Sequence, residues 1–226
     1  MKRIGFFSVA TFLLTCASLV AFAATGEVAV AQSAPSARQV VLLIDSSVSP
    51  SIATQLPVLR QFAEGLSSET SVAVAYNFNG HATFATPFTT DKAKIANAIH
   101  LPAGGQATNG SPYFAVSELA EHWPSNLKAQ REIILISDGQ DPYYQMSLPD
   151  PYVSDAIHAA RSADVTVNSV YWTARGGRTS ADMVNEGQSR LLVMSQATGG
   201  DGYWLGIDDP VNLSPFLRTI ARKSHL

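Results

Sequence analysis

Two apolar runs, Val40–Ile44 and Ile133–Ile136, each lead within two residues to an aspartate, Asp45 and Asp138. Runs without polar alternation fit strands buried on both faces, as in a parallel sheet. A third segment, Thr70–Phe78, reads as a strand and is followed by Asn79-Gly80, a tight-turn dipeptide. His81–Pro87 is therefore expected to return antiparallel as an edge strand. Val165–Trp172 and Gly202–Leu205 complete the set of strands. Between them the spacing turns helical. In Pro50–Leu66 the residues Ile52, Leu56, Leu59, Phe62 and Ala63 recur on one face, and Pro57 is expected to bend or restart the helix. Thr90-Asp91 caps a helix over Lys92–His100. Further helices are expected over Ser111–Trp123, Val153–Ser162, Gln188–Thr198 and Pro210–Arg222, with polar loops over Gly139–Pro151 and Thr173–Glu186. Alternating strands and helices predict an α/β, Rossmann-like, doubly wound fold. Its sheet would be six-stranded and mainly parallel with one antiparallel edge strand, and helices would cover both faces. No internal repeat or second domain is visible.

Composition adds a destination. Lys2 and Arg3 precede an apolar stretch, and small residues at Ala21-Phe22-Ala23 and Ala29-Val30-Ala31 offer cleavage points. Residues 1–31 read as a secretory signal peptide, residues 32–37 as a flexible mature terminus, and 38–226 as the folded domain. An uncleaved membrane anchor is the competing reading of the same stretch. The only cysteine, Cys16, falls inside it, so the mature chain would carry no disulfide. That suits a bacterial periplasmic or secreted protein better than a small disulfide scaffold. Cleavage would remove Lys2, Arg3 and Glu27 and leave 13 basic against 17 acidic residues. Without a basic cluster, nucleic acid is an unsuitable partner. No long hydrophobic span follows residue 31.

The strand ends carry the candidate chemistry. Asp45 is followed at alternate positions by Ser47 and Ser49, and Asp138 is followed by Gly139. Between these strands lies a glycine-rich loop, Gly104–Ser111, containing Thr108. Carboxylates with neighbouring hydroxyls form an all-oxygen donor set suited to a hard divalent cation. Asp45-x-Ser47-x-Ser49, Thr108 after the Gly-Gly loop, and Asp138-Gly139 resemble the metal-ion-dependent adhesion site of von Willebrand factor A domains, a pattern shared by integrin inserted domains. One departure is Val48, where many members have glycine. The resemblance extends in order of elements over roughly residues 38 to 223, and Ser169–Trp172 through Ala197–Trp204 also resembles exported bacterial VWA-related proteins. It implies Mg2+ (or Mn2+/Ca2+) held by Asp45, Ser47, Ser49, Thr108 and Asp138, with a carboxylate from a protein partner completing the cation's shell.

Other chemistry is less well provided for. His81, His100, His122, His158 and His225 form no pair at metal-ligand spacing, and there is no Gly-x-Ser-x-Gly elbow. A Mg-dependent, phosphatase-like hydrolase would use Asp45 as nucleophile, but the second acid expected two positions on is Ser47. Asp141, three residues after Asp138, reads as a solvated loop acid, the alternative being a group that supports the site from behind its ligands. Tyr143, Tyr144 and Tyr152 are either partner anchors or packing for their loop. Arg175 and Arg178 are candidate rim contacts, with plain solvated charge the favoured alternative. The reading is thus an exported, non-enzymatic domain that recognises an acidic side chain of a protein through a cation. The alternatives are the hydrolase and a structural domain that binds by its loops without metal.

If residues 1–31 direct export, intact mass of the secreted product shows loss of about 23 to 31 residues. Recovery of full-length protein only in the membrane fraction would overturn cleavage in favour of an anchor.

Overall fold

The first apolar run becomes the centre of the sheet. The computed structural model describes residues 37–49, 51–101, 110–173, 180–204 and 212–223. Pro35–Leu226 forms one unit. The proposed export segment, and residues 32–36 after it, lie outside the described residues. β1 (Arg38–Asp45) is buried along its whole length. It pairs in parallel with β2 (Thr70–Phe78) on one side and β4 (Gln130–Ser137) on the other. β3 (His81–Thr89) runs antiparallel to β2 at one edge. β5 (Val165–Tyr171) and β6 (Gly202–Tyr203) continue the parallel pairing beyond β4. The order is therefore β3-β2-β1-β4-β5-β6. The chain moves outward from β1, then returns to lay β4 on its other side. In open α/β sheets such a reversal opens a crevice beyond the carboxyl ends of the two strands.

Alternate side chains of the central strands feed two cores. Val40, Leu42 and Ile44 pack with Leu59, Ala63, Ile95, Phe216 and Ile220. These come from α1 (Leu56–Gly65), α2 (Lys92–Ala98) and α6 (Ser214–Lys223). Val41 and Leu43 pack with Tyr113, Val116, Val153, Ala156, Leu191 and Met194 on the other face. Those belong to α3 (Pro112–Glu121), α4 (Pro151–Ser162) and α5 (Ala181–Ala197). Each fully buried aliphatic side chain contributes about 1.5–3 kcal/mol, so β1 draws stability from both layers.

Two expected helices change shape. The segment after β1 is a 3-10 helix, Ser51–Gln55, followed by α1 with Pro57 in its first turn, where the missing N–H costs nothing. α5 begins at Ala181 rather than Gln188. Ser180 caps it by accepting the Met183 N–H at 3.2 Å, and Asp182 lies in the positively polarised first turn. The polar character of these turns and Gly187 concealed the helix in the sequence. Trp172 is buried, and its Nε1–H donates to Ser51 Oγ at 3.0 Å. Among the described residues no helix is long and apolar enough to cross a membrane.

At the opposite end of the sheet from Asp45, a buried ion pair joins β1 to β4. Arg38 Nε donates to Glu132 Oε2 at 3.0 Å, and Asn168 Nδ2 of β5 donates to Glu132 Oε1 at 2.9 Å. Removing one partner strands the other charge away from water. Glu132→Ala is therefore expected to lower the free energy of unfolding by about 3 kcal/mol, measured by urea denaturation.

Candidate metal centre

Asp45 ends β1 with a carboxylate that is 1 % exposed. A bare carboxylate at such a place needs hydrogen bonds, and three neutral donors supply them. The Ser47 N–H and Asn77 Nδ2 donate to Oδ1 at 3.2 and 3.1 Å, and Ser137 Oγ donates to Oδ2 at 2.6 Å. Asn77 stands directly opposite Asp45 in the β1–β2 pairing. Ser137 is the last residue of β4, and its hydroxyl also accepts the Gly139 N–H at 3.0 Å. Asp138 follows, with the Gln140 N–H donating to its Oδ1 at 3.0 Å.

The two aspartates affect one another. Burial, and next the negative charge of Asp45, push the Asp138 carboxyl up to about 7, against hydrogen bonds that favour ionisation. Burial likewise raises Asp45, opposed by its bonds to Ser137, Ser47 and Asn77. Among the described residues neither carboxylate forms an ion pair with a lysine or arginine. Ser47 lies in the 3-10 turn Ser46–Val48. Its Oγ is buried and has no hydrogen-bond partner among the described residues. That oxygen is nonetheless near enough to both carboxylates to favour their charged forms. Ser49 closes the same turn, its N–H donating to the Ser46 carbonyl at 3.0 Å. Among the described residues, two carboxylates without a cationic partner and a buried hydroxyl close to both fit a hard divalent cation bound by oxygen.

Thr108 lies outside the described residues, but the chain just after its loop is firmly held. Asn77 Nδ2 also donates to the Gly110 carbonyl at 3.0 Å. A Cβ on Gly110 would lie 1.8 Å from the Gly80 nitrogen, so only glycine allows this approach to the Asn79-Gly80 turn. Ser111 caps α3 and donates its hydroxyl to Asp141 Oδ2 at 2.8 Å. Asp141 is thus 3 % exposed, which corrects the expectation of a solvated loop acid. Burial raises its pKa first of all, and the Tyr143 N–H bond opposes the rise.

The aromatic residues divide. Tyr143 is 58 % exposed, yet stacks on Phe114 with ring centroids 5.3 Å apart. Tyr152 meets the same ring edge-on at 4.8 Å and packs against the core. Tyr144 is half-buried, and its carbonyl accepts from Arg190 at 3.1 Å. Arg175 and Arg178 lie outside the described residues. His81, His122 and His158 line a groove of about 540 Å³ with Phe114 and Glu118. No three His, Cys, Asp or Glu side chains form a metal cage among the described residues. Asn77, Ser137 and Gly110 were not singled out from sequence. The position of Asn77 across from Asp45 becomes visible only once β1 and β2 are paired.

No protein-family model matches the chain, and no curated protein matches it. Solved structures do. A von Willebrand factor type A protein from Catenulispora acidiphila superposes with a TM-score of 0.60 at 18 % identity, over 84 % of this chain and 43 % of that one. An aerotolerance-related membrane protein from Bacteroides fragilis gives 0.59 at 16 % identity, over 83 % of this chain and 98 % of that one. BatB from Bacteroides thetaiotaomicron gives 0.57 at 15 % identity, over 82 % and 96 %. The fold is that of a von Willebrand factor type A domain. In this VWA fold, Asp45 and Asp138 occupy the exits of the two strands between which the strand order reverses.

An acid whose folded pKa exceeds its unfolded value holds its proton more tightly when folded, so stability is lost as pH rises through the interval between the two values. For Asp138 that interval runs from 3.8 to about 7. Metal-free protein is therefore expected to melt lower at pH 8 than at pH 5.5. Asp138→Asn should recover about 2 kcal/mol at pH 8, the full linkage value being partly screened at this incompletely buried side chain. Scanning calorimetry in EDTA at both pH values checks this.

Proposed function

We propose that this domain is a non-enzymatic binding module, exported by a bacterium to the periplasm or beyond. It recognises a protein partner through a divalent cation, Mg2+ with Mn2+ or Ca2+ as substitutes. Asp45, Ser47, Ser49, Thr108 and Asp138 would hold that cation. The observation that carries the reading is the pair of carboxylates, Asp45 and Asp138, that have no cationic partner among the described residues and have the buried Ser47 hydroxyl close to both. When bound, the cation supplies positive charge for an acidic side chain of the partner. Asp45 and Asp138 set the charge of the site, while the serine and threonine hydroxyls add ligands without neutralising it further. Asn77 and Ser137 fix the orientation of the Asp45 carboxylate through neutral bonds and leave its charge in place. Exposed Tyr143, and Arg175 and Arg178, would contribute to the surrounding contact surface. Among the described residues no histidine, lysine or arginine hydrogen-bonds to Asp45, Ser47 or Asp138.

Calorimetry with Mn2+ tests the site. Wild type is expected to bind, and Asp45→Asn, which keeps the shape and removes the charge, is expected not to bind while retaining its circular dichroism spectrum. Equal Mn2+ affinity in the two proteins would falsify the assignment. Partner capture from the organism's exported proteins should fail in EDTA and should weaken more than Mn2+ binding does in Thr108→Ala. Capture that ignores both changes would move recognition to the loops, and metal-dependent phosphoester hydrolysis lost in Asp45→Asn would favour the hydrolase.

A further inference from the structure

The chain after Asp138 is held by α5 at three points. Gln140 Nε2 donates to the Met183 carbonyl at 2.6 Å. At the second point the backbones almost touch. A Cβ on Gly187 would lie 2.1 Å from the Asp138 carbonyl oxygen, and one on Gly139 would lie 2.3 Å from the Gly187 carbonyl oxygen. At the third, Arg190 is 2 % exposed; its Nε donates to Asp150 Oδ2 at 2.9 Å and its Nη2 to the carbonyls of Tyr144 and Met146 at 3.1 and 2.6 Å. Met183, Gly187 and Arg190 follow the spacing of a single helix face.

Neither Gly187 nor Arg190 is explained by stability. Glycine within a helix is disfavoured relative to alanine, and Gly187 lies well inside α5. A buried ion pair such as Arg190–Asp150 can often be replaced by apolar packing without loss. What an apolar side chain cannot do is hold two loop carbonyls and the cap of α4 together. Asp150 is that cap, accepting the Tyr152 and Val153 N–H groups.

We propose that this face of α5 is the positioning element of the candidate cation site. Gly187 admits the exit of β4 close to the helix and so sets where Asp138 stands. Arg190 fixes the following loop, which presents Tyr143. The inference rests on the reading of Asp45 and Asp138 as the cation site.

The test uses the full chain, with Mn2+ titrated calorimetrically and amide exchange followed over residues 141–147. A methyl at Gly187 has to move backbone, and displaced supporting groups typically weaken metal affinity about 10–100-fold. Gly187→Ala is expected to bind Mn2+ at least about tenfold more weakly at temperatures where it is fully folded. Gln140→Leu, which cuts the tie to Met183 near the surface, is expected to weaken it several-fold and serves if Gly187→Ala does not fold. Arg190→Met combined with Asp150→Asn removes both buried charges. It is expected to melt near wild type and bind Mn2+ within about twofold of it, while residues 141–147 exchange faster. Wild-type affinity in Gly187→Ala, or in Gln140→Leu if that is the variant that folds, overturns the role of α5 at Asp138. Wild-type exchange in the double variant overturns that of Arg190. Wild-type protein that binds no Mn2+ overturns the cation reading itself, and this assignment with it.

Discussion

A carboxylate enclosed by protein and given only neutral partners is the constraint around which the domain is arranged. Asp45 accepts three hydrogen bonds, from a backbone amide, an asparagine and a serine, and none from a lysine or arginine among the described residues. Asp138 adds a second acid close enough for each to oppose the other's ionisation. Folding therefore concentrates negative charge where water is scarce, an arrangement that raises free energy unless a proton or a cation is shared. A structural site would more simply place an arginine there, and the protein does so elsewhere, at Arg38–Glu132 and Arg190–Asp150. These neutralised acids contrast with Asp45 and Asp138, whose hydrogen-bond partners among the described residues are all neutral.

Close backbone approaches complete the arrangement. Gly110 brings the start of α3 against the Asn79-Gly80 turn between β2 and β3, and Gly139 brings the exit of β4 against Gly187 of α5, each nearer than side chains would allow. The polar ties then follow: Asn77 joins Asp45 to Gly110, and Ser111 joins α3 to Asp141. Each contact acts on a candidate ligand or on the segment beside one.

Much of this was legible in the sequence because it is local. Apolar runs ending in acids gave the central strands, Asn79-Gly80 gave the hairpin, and helical spacing gave most of the helices. Ser47 and Ser49 stood out as candidate oxygen ligands by their positions after Asp45. What was hidden depends on pairing across distant segments. Asn77 gains its meaning opposite Asp45, and Asp141 becomes buried through Ser111. Arg190 lies in a helix whose polar first turns read as loop. Gly187 fell between the expected loop and the expected helix, because its reason for being in a helix is the carbonyl of Asp138 just beyond β4.

Arg38–Glu132 and Asp45–Ser137 have a joint consequence for how the sheet is assembled. β1 and β4 are both nearly continuous apolar runs buried on two sides, so shifting one along the other would still bury comparable hydrocarbon. Hydrophobicity alone discriminates weakly among such alignments. The ion pair at one end and the carboxylate–hydroxyl bond at the other form together only in the observed alignment. The polar groups that bracket these strands thus act as a vernier, and the chemistry at one end reports that the whole central pair has locked correctly.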